Sequence, residues 1–476
     1  MTTVQKAKEA FKWTLYLRGL SQLITWVISL VVIRFLTPTD YGIVALTEII
    51  FMFMMLFCSA GLGDALIQRK DADELFVRKM LNILLIVTAV MCTMLFISAP
   101  YLAEYYNQPS LTIVLRLSSF IFILTPWLVL ASSLLAKKMD FKSRGQIDLF
   151  AAVTTSLLSL LLAYKGFGFW ALIISSLLNT LLRTFGYTLT IRKIYFPKLD
   201  LGDMWLPFKF GITVAATSMM FGLFMKVDVL VIANQIDTQT LGYYALAMHL
   251  ALLPMVKIMP LVNEVAYPMY ASIKENPAEC RRIFGYILRI ISFTMFPIFF
   301  IFSATAPELV KILLGEQWLP AVIALQIILL TIPFRIISNL FSPLLKALGH
   351  PQTGLQHVTF SCFTVALLFY YAAPYGLNAL AYAWCIATPL ILIFALNLST
   401  KRAGILFIDL LKSISKPAFI SLITLLLIHL INIAKLDEFN VYILLSLKLF
   451  TGLISYIGLS SIFNRNQLNE IIKFKL

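Results

Sequence analysis

The sequence predicts an all-α polytopic membrane protein of about 14 transmembrane helices, arranged as two pseudo-symmetric six-helix lobes around a central cavity plus two extra helices. Three observations carry this expectation. Of 476 residues, 60% are hydrophobic and 13% charged, against about 45–50% apolar and 25% charged in a soluble domain. Apolar runs long enough to span a bilayer follow one another along the chain, and basic residues cluster in alternate gaps between them.

A bilayer core about 30 Å thick needs roughly 20 apolar residues per helix. Runs that meet this lie near 11–35, 41–67, 79–101, 110–136, 147–164, 167–191, 205–233, 241–272, 284–303, 319–346, 354–373, 376–399, 412–432 and 440–463. The first carries Arg18 and is too long and too polar for a cleaved signal peptide, so it reads as a span. Gly166, and Pro374 with Gly376, mark tight turns dividing stretches too long for one helix. The longest connection, about 15 residues from Ala304 to Trp318, is too short for a folded domain. Whatever the protein does is done by its spans.

Lys and Arg are enriched on the cytoplasmic side of membranes. Assigning the N-terminus, every second connection and the tail to one side places 25 basic residues there, against Lys165, Lys311 and Lys435 opposite. Both termini are therefore expected in the cytoplasm. The formal charge of +15 reflects this orientation rather than a nucleic-acid surface. Five scattered cysteines form no C-x-x-C pair, which predicts neither a disulfide framework nor a metal site, and no cofactor is expected.

Short motifs recur in order. Gly42, Ala45 and Leu46 return as Gly242, Ala245 and Leu246; Ala99, Pro100 and Leu102 as Ala306, Pro307 and Leu309; Ser132, Leu134 and Leu135 as Ser342, Leu344 and Leu345. The pattern predicts lobes at 1–191 and 205–399, with two additional helices and a cytoplasmic tail at 412–476. Six spans per repeat is an even number, so both lobes share one topology. A cleft between such lobes is the usual place of transport.

A charge near the bilayer centre costs at least about 2.5–3.5 kcal/mol. Arg34, Arg116, Arg183, Lys209, Arg289 and Lys448 lie near span ends and are expected to snorkel to the headgroups. Arg18, Lys226, Lys257 and Arg335 lie deeper. Arg18 shares a helix face with Gln22 and Thr25, and Arg335 shares one with Asn339. Span 7 adds Asp228 and span 8 gathers Lys257 with Glu264. Cavity-lining candidates are thus Arg18, Gln22, Thr25, Lys226, Asp228, Lys257, Arg335 and Asn339. Helix packing is the alternative; it suits single serines and threonines but gives no reason to retain the arginines. Lys226 and Asp228 are two apart, so each should find its partner on another helix. Glu48, Asp64 and Glu264 are candidates for binding a coupling proton or sodium ion, or for neutralising salt bridges.

No G-x-x-x-x-G-K-[ST] occurs, which excludes ATP hydrolysis by a P-loop. Asp71-Ala72-Asp73 spells a D-x-D, but in a short loop with no nucleotide-binding domain behind it the triplet reads as a solvated turn. Leu36-Thr37-Pro38-Thr39-Asp40-Tyr41-Gly42, Ala60-Gly61-Leu62-Gly63, Lys226-Val227-Asp228 with Leu241-Gly242-Tyr243-Tyr244, and Leu313-Leu314-Gly315-Glu316-Gln317-Trp318 resemble the polysaccharide transport family. These are Wzx-type O-antigen and exopolysaccharide flippases of the MATE-like multidrug/oligosaccharidyl-lipid/polysaccharide superfamily, and the likeness extends to colanic-acid-type exporters. The resemblance covers roughly residues 10 to 400. It implies a transporter, not an enzyme, that moves polyprenyl-pyrophosphate-linked repeat units across the bacterial cytoplasmic membrane by alternating access, in steps coupled to an ion gradient. It transfers no individual site residues. A multidrug or lipid II exporter on the same fold, and a membrane glycosyltransferase, are the competing readings.

Overall fold

The computed structural model describes residues 3–59, 63, 66–67, 73–193, 195–198, 205–433, 440–465 and 467; the side chains of 3–15, 18, 56–57, 59, 205–208, 210–218, 221 and 432–433 lie outside that description. No strand occurs among the described residues. The helices are α1 (Thr3–Phe35), α2 (Pro38–Ser59), α3 (Glu74–Tyr105), α4 (Ser110–Ser119), α5 (Ile121–Lys137), α6 (Phe141–Tyr164), α7 (Trp170–Ile191) and α8 (Trp205–Ile232). They continue with α9 (Thr238–Ser272), α10 (Pro277–Leu313), α11 (Val322–Ala347), α12 (Gln352–Ala372), α13 (Leu377–Ala403), α14 (Phe407–Ile433) and α15 (Val441–Phe463).

Only Phe120 separates α4 from α5, and the two cross as one 28-residue segment. Eleven helical segments are long and apolar enough to cross a membrane. Three further helices complete the expected set. In α1 the apolar part is Gly19–Phe35, α7 is diluted by Asn179, Arg183 and several hydroxyls, and α8 is 28 residues long. Helix is the form that satisfies every backbone group inside a bilayer, which is why Pro254, Pro260 and Pro268 are carried within α9. The tight turns fall where expected. Gly166 and Gly168 have φ of 78° and 56° between α6 and α7, and Gly376 has φ of 84° before α13, a region that favours glycine.

One connection differs from expectation. The stretch from Ala304 is not a loop: α10 continues to Leu313, and a 3₁₀ turn follows at Glu316–Ala321. Pro307 lies inside this helix, where its ring forfeits a backbone hydrogen bond. Yet Thr305, Ala306, Glu308 and Val310 are buried, and this tertiary burial outweighs the hydrogen bond that proline forfeits.

Packing divides the chain into two compact units, Met1–Gly242 and Tyr243–Leu476. In the first, α1 packs on α6, α2 on α8, α3 on α5, α5 on α7 and α6 on α7. In the second, α10 packs on α11, α11 on α13 and α12 on α13, while α14 and α15 pack on each other and on α10.

Candidate functional site

In the first unit, α2 begins with a capping box. The Thr37 N–H and hydroxyl donate to Asp40 Oδ2 at 2.9 and 2.6 Å, and the Asp40 N–H donates back to Thr37 Oγ1 at 3.2 Å. Asp40 Oδ1 meanwhile accepts the Phe169 N–H at 3.0 Å, tying the α6–α7 turn to α2. The start of α9 repeats the device 200 residues on with the residue types exchanged. The Thr240 N–H and hydroxyl donate to Asp237 at 2.9 and 2.6 Å. Partial desolvation pushes the Asp237 carboxyl up, but the Thr240 bonds more than offset it and hold the group below its ordinary value.

These two helix starts cross in direct backbone contact. A Cβ on Gly42 would overlap the carbonyl of Thr238, and one on Gly242 would overlap the carbonyl of Pro38. Nearby, α2 and α8 are joined by an ion pair from Lys226 Nζ to Glu48 Oε2 at 3.3 Å, with both side chains partly exposed. Lys226 thus finds its partner on another helix, as its spacing from Asp228 required. Asp228 itself is 4% exposed. On α1, Thr25 donates to its own helix at Ser21 O, 2.8 Å away, and Gln22 is half-buried. The Arg18 side chain and Asp64 lie outside the described residues. Asp73, the last residue of the D-x-D, caps α3 by accepting the Phe76 N–H at 2.9 Å.

In the second unit, Arg335 of α11 lies over an aromatic ring. Its guanidinium carbon is 4.0 Å from the ring centroid of Trp384 on α13. The Trp384 indole N–H donates to the Tyr244 hydroxyl at 3.0 Å, and Phe369 meets both rings edge-on. All three aromatics are buried. Asn339 Nδ2 donates to the Arg335 carbonyl at 2.8 Å, which anchors the amide one turn along the same face. On α9, Lys257 is half-buried and Glu264 exposed.

Two charged clusters were not anticipated. Arg183 does not snorkel freely: its Nε binds Asp148 Oδ1 at 2.8 Å, and the buried Tyr187 donates to the same oxygen. Lys448 does not reach a headgroup either. It is 1% exposed and bonds Glu308 inside the α10–α15 seam. Both departures have one cause, an acid on a neighbouring helix that neutralises the cation within reach. The signal in the sequence was the acid itself. Glu308 falls in the stretch that reads as a connection but is helix, and Asp148 lies near the start of an expected span.

A profile of the family described as "Polysaccharide biosynthesis protein" matches residues 31–323. Among curated proteins, the "Teichuronic acid biosynthesis protein TuaB" of Bacillus subtilis is 24% identical over 338 residues, 71% of this chain and 70% of its own length. The "Lipopolysaccharide biosynthesis protein WzxC" of Escherichia coli is 23% identical over 339 residues, 70% and 68% of the two chains. Among solved structures, "Lipid II flippase MurJ, inward closed conformation" superposes with a TM-score of 0.76 at 15% identity, covering 96% of this chain and 99% of that one. That superposition shows a shared fold.

Proposed function

The chain belongs to the Polysaccharide biosynthesis protein family, and on that premise we propose that it is a flippase moving polyprenyl-pyrophosphate-linked oligosaccharide repeat units across a bacterial cytoplasmic membrane by alternating access. The observation that carries this reading is Arg335, a cation retained within a span and held over the ring of Trp384. A guanidinium suits a phosphate anion by its planar, forked donor geometry. A transporter of neutral or cationic drugs has no use for it. TuaB is named for teichuronic acid biosynthesis and WzxC for lipopolysaccharide biosynthesis, which supports such a substrate.

On this reading Arg18, Gln22, Thr25, Lys226, Asp228, Lys257, Arg335 and Asn339 hold the pyrophosphate and sugars while the polyprenyl tail stays in lipid. Glu48, Asp64 and Glu264 are the candidates for a coupling proton or sodium ion; the Lys226 bond to Glu48 makes that site one where cation and substrate compete. The chain acts as a transporter rather than an enzyme. The excess of Lys and Arg on alternate connections puts both termini in the cytoplasm. The six-helix repeats at 1–191 and 205–399, with 412–476 as an appendage, are supported by the paired capping boxes. The recurring order of packing, α3–α5–α7–α6 in one unit and α10–α11–α13–α12 in the other, supports them too.

Deleting the gene in its host tests the function. Lipid-linked repeat units should accumulate on the inner leaflet, surface polysaccharide should disappear, and a plasmid copy should restore both. Cation-selective drug efflux without that accumulation, or sugar-nucleotide turnover by the purified protein, would replace this reading.

A further inference from the structure

The polar face of α11 does not end at Asn339. Arg335, Asn339, Ser342 and Lys346 follow one another at spacings of four, three and four, which keeps them on one side of the helix. Along that line the side chains grade from half-buried at Arg335 and Asn339 to exposed at Ser342 and Lys346. Lys346 stands in the last turn of α11. By the alternation of basic connections this is the end expected in the cytoplasm, and it lies about 16 Å of helix rise from Arg335.

The surroundings of Lys346 separate it from other cations of the spans. Lys226, Arg183 and Lys448 each meet a carboxylate. The Lys346 ammonium lies instead 5.2 Å from the ring centroid of Tyr267 on α9, and among the described residues no carboxylate pairs with it. An aromatic face steers an ammonium without cancelling its charge, and at an exposed position that hold is weak enough to be exchanged for an anion. Tyr267 is 40% exposed, so the pair is open to its surroundings rather than part of a core. A cation in the last turn also suits the helix dipole. The dipole, however, asks only for a charge near that end and gives no reason for a ring from α9 to lie under it.

We propose that Lys346, seated over Tyr267, is a loading site for the pyrophosphate of a lipid-linked substrate before that anion reaches Arg335. This role rests on the flippase reading above and deepens it. A pyrophosphate carried on a polyprenyl chain lies at headgroup level in the leaflet from which it starts, and the last turn of a spanning helix lies at the same level. Lys346 therefore meets the anion without drawing it into the apolar layer, whereas Arg335 stands three turns deeper. Ser342, one turn further in on the same line, offers a hydroxyl. Lys346 is the group that touches the anion, and Tyr267 is a positioning residue for it.

The full-length chain in detergent, with undecaprenyl pyrophosphate as the probe, tests this by equilibrium binding at two ionic strengths. Salt screens an exposed charge far more than a buried one. Lys346→Met should weaken binding about fivefold at about 0.01 M salt and less than about twofold at about 1 M. Lys346→Arg keeps the charge and should restore most of the affinity. Tyr267→Leu should cost about twofold to threefold at low salt and nothing further once Lys346 is replaced by Met, while Tyr267→Phe keeps the ring and should bind as the parent does. Melting within about 3 °C of the parent shows that the fold is intact. Unchanged affinity in Lys346→Met at low salt, whatever its melting point, leaves the lysine a helix-end charge and overturns the loading site. An equal loss of affinity for phosphatidylglycerol assigns the pair to ordinary headgroups and overturns it as well. A parent that does not bind undecaprenyl pyrophosphate overturns the flippase reading and the loading site with it.

Discussion

Gly42 and Gly242, 200 residues apart, each rest on the backbone of the other's helix: Gly42 against Thr238, Gly242 against Pro38. The contact is reciprocal. Gly42→Ala or Gly242→Ala drives a methyl group into a carbonyl, an overpacking cost of about 1–3 kcal/mol. Both variants should melt lower and leave Thr238→Cys labelled faster by an impermeant maleimide. Unchanged labelling in both would show that the crossing does not open at this point.

Lys448 and Glu308 form a buried ion pair, 1% and 8% exposed on their side chains. Removing one partner leaves the other charge buried, at a cost of about 3–5 kcal/mol, whereas replacing both with apolar residues is close to neutral. Glu308→Gln and Lys448→Met should each weaken docking of α14 and α15 on α10 and lower the thermal midpoint. The double variant Glu308→Leu with Lys448→Met should recover most of the loss. Single variants as stable as the parent would remove the pair from any structural role.

Much of the architecture was legible because a bilayer imposes length and polarity on every span. The breaks at Gly166 and Gly376 and the number of spans followed from runs of apolar residues. What stayed hidden depends on neighbours. Arg183 and Lys448 looked like snorkelling ends because their acids, Asp148 and Glu308, lie on other helices. The stretch from Ala304 looked like a connection, although its burial makes it helix as far as Leu313. The repeat of Gly42 at Gly242 was visible as a pattern, but nothing in one dimension says that the two glycines touch. Trp384 offered no signal, since its part comes entirely from what lies over its face and at its N–H.

Asp40 serves two elements at once, capping α2 through Oδ2 and accepting the Phe169 N–H through Oδ1. Asp40→Ala should cost about 1 kcal/mol for the cap alone, and it should also loosen the turn at Gly166 to Phe169. Hydrogen exchange should quicken at Phe169 in the alanine variant. Asp40→Asn, which keeps one acceptor oxygen, should rescue one of the two sites but not both; protection at both sites in the asparagine variant would refute the shared-carboxylate account.

Acid should act on the start of α9 through Asp237. Its carboxyl sits below the ordinary aspartate value of 3.8 because of the Thr240 hydrogen bonds. A lowered folded value means that its stabilisation is complete above the unfolded value and is lost as pH falls through the folded one. Labelling of Thr238→Cys after brief acid exposure should therefore rise only below about pH 4. Asp237→Asn should flatten that part of the profile; an unchanged profile would assign the transition to another group.

The Lys226–Glu48 pair separates a structural role from a transport role, because the two predict different readouts. At 3.3 Å and with both side chains partly exposed, such a pair contributes about 0–1 kcal/mol to stability. Breaking it should hardly move the melting point. If Lys226 instead meets the substrate's anion, Glu48 is its competitor, and the two substitutions must act in opposite directions on binding. Glu48→Gln frees the ammonium and should tighten binding of undecaprenyl pyrophosphate, while slowing release enough to lower transport at saturation. Lys226→Gln removes the cation and leaves a carboxylate facing the anion, so binding should weaken by about tenfold, the equivalent of roughly 1.4 kcal/mol. The double variant should bind between the two. Equilibrium binding in detergent and transport in vesicles read these separately, and matching losses in both single variants would make the pair structural after all.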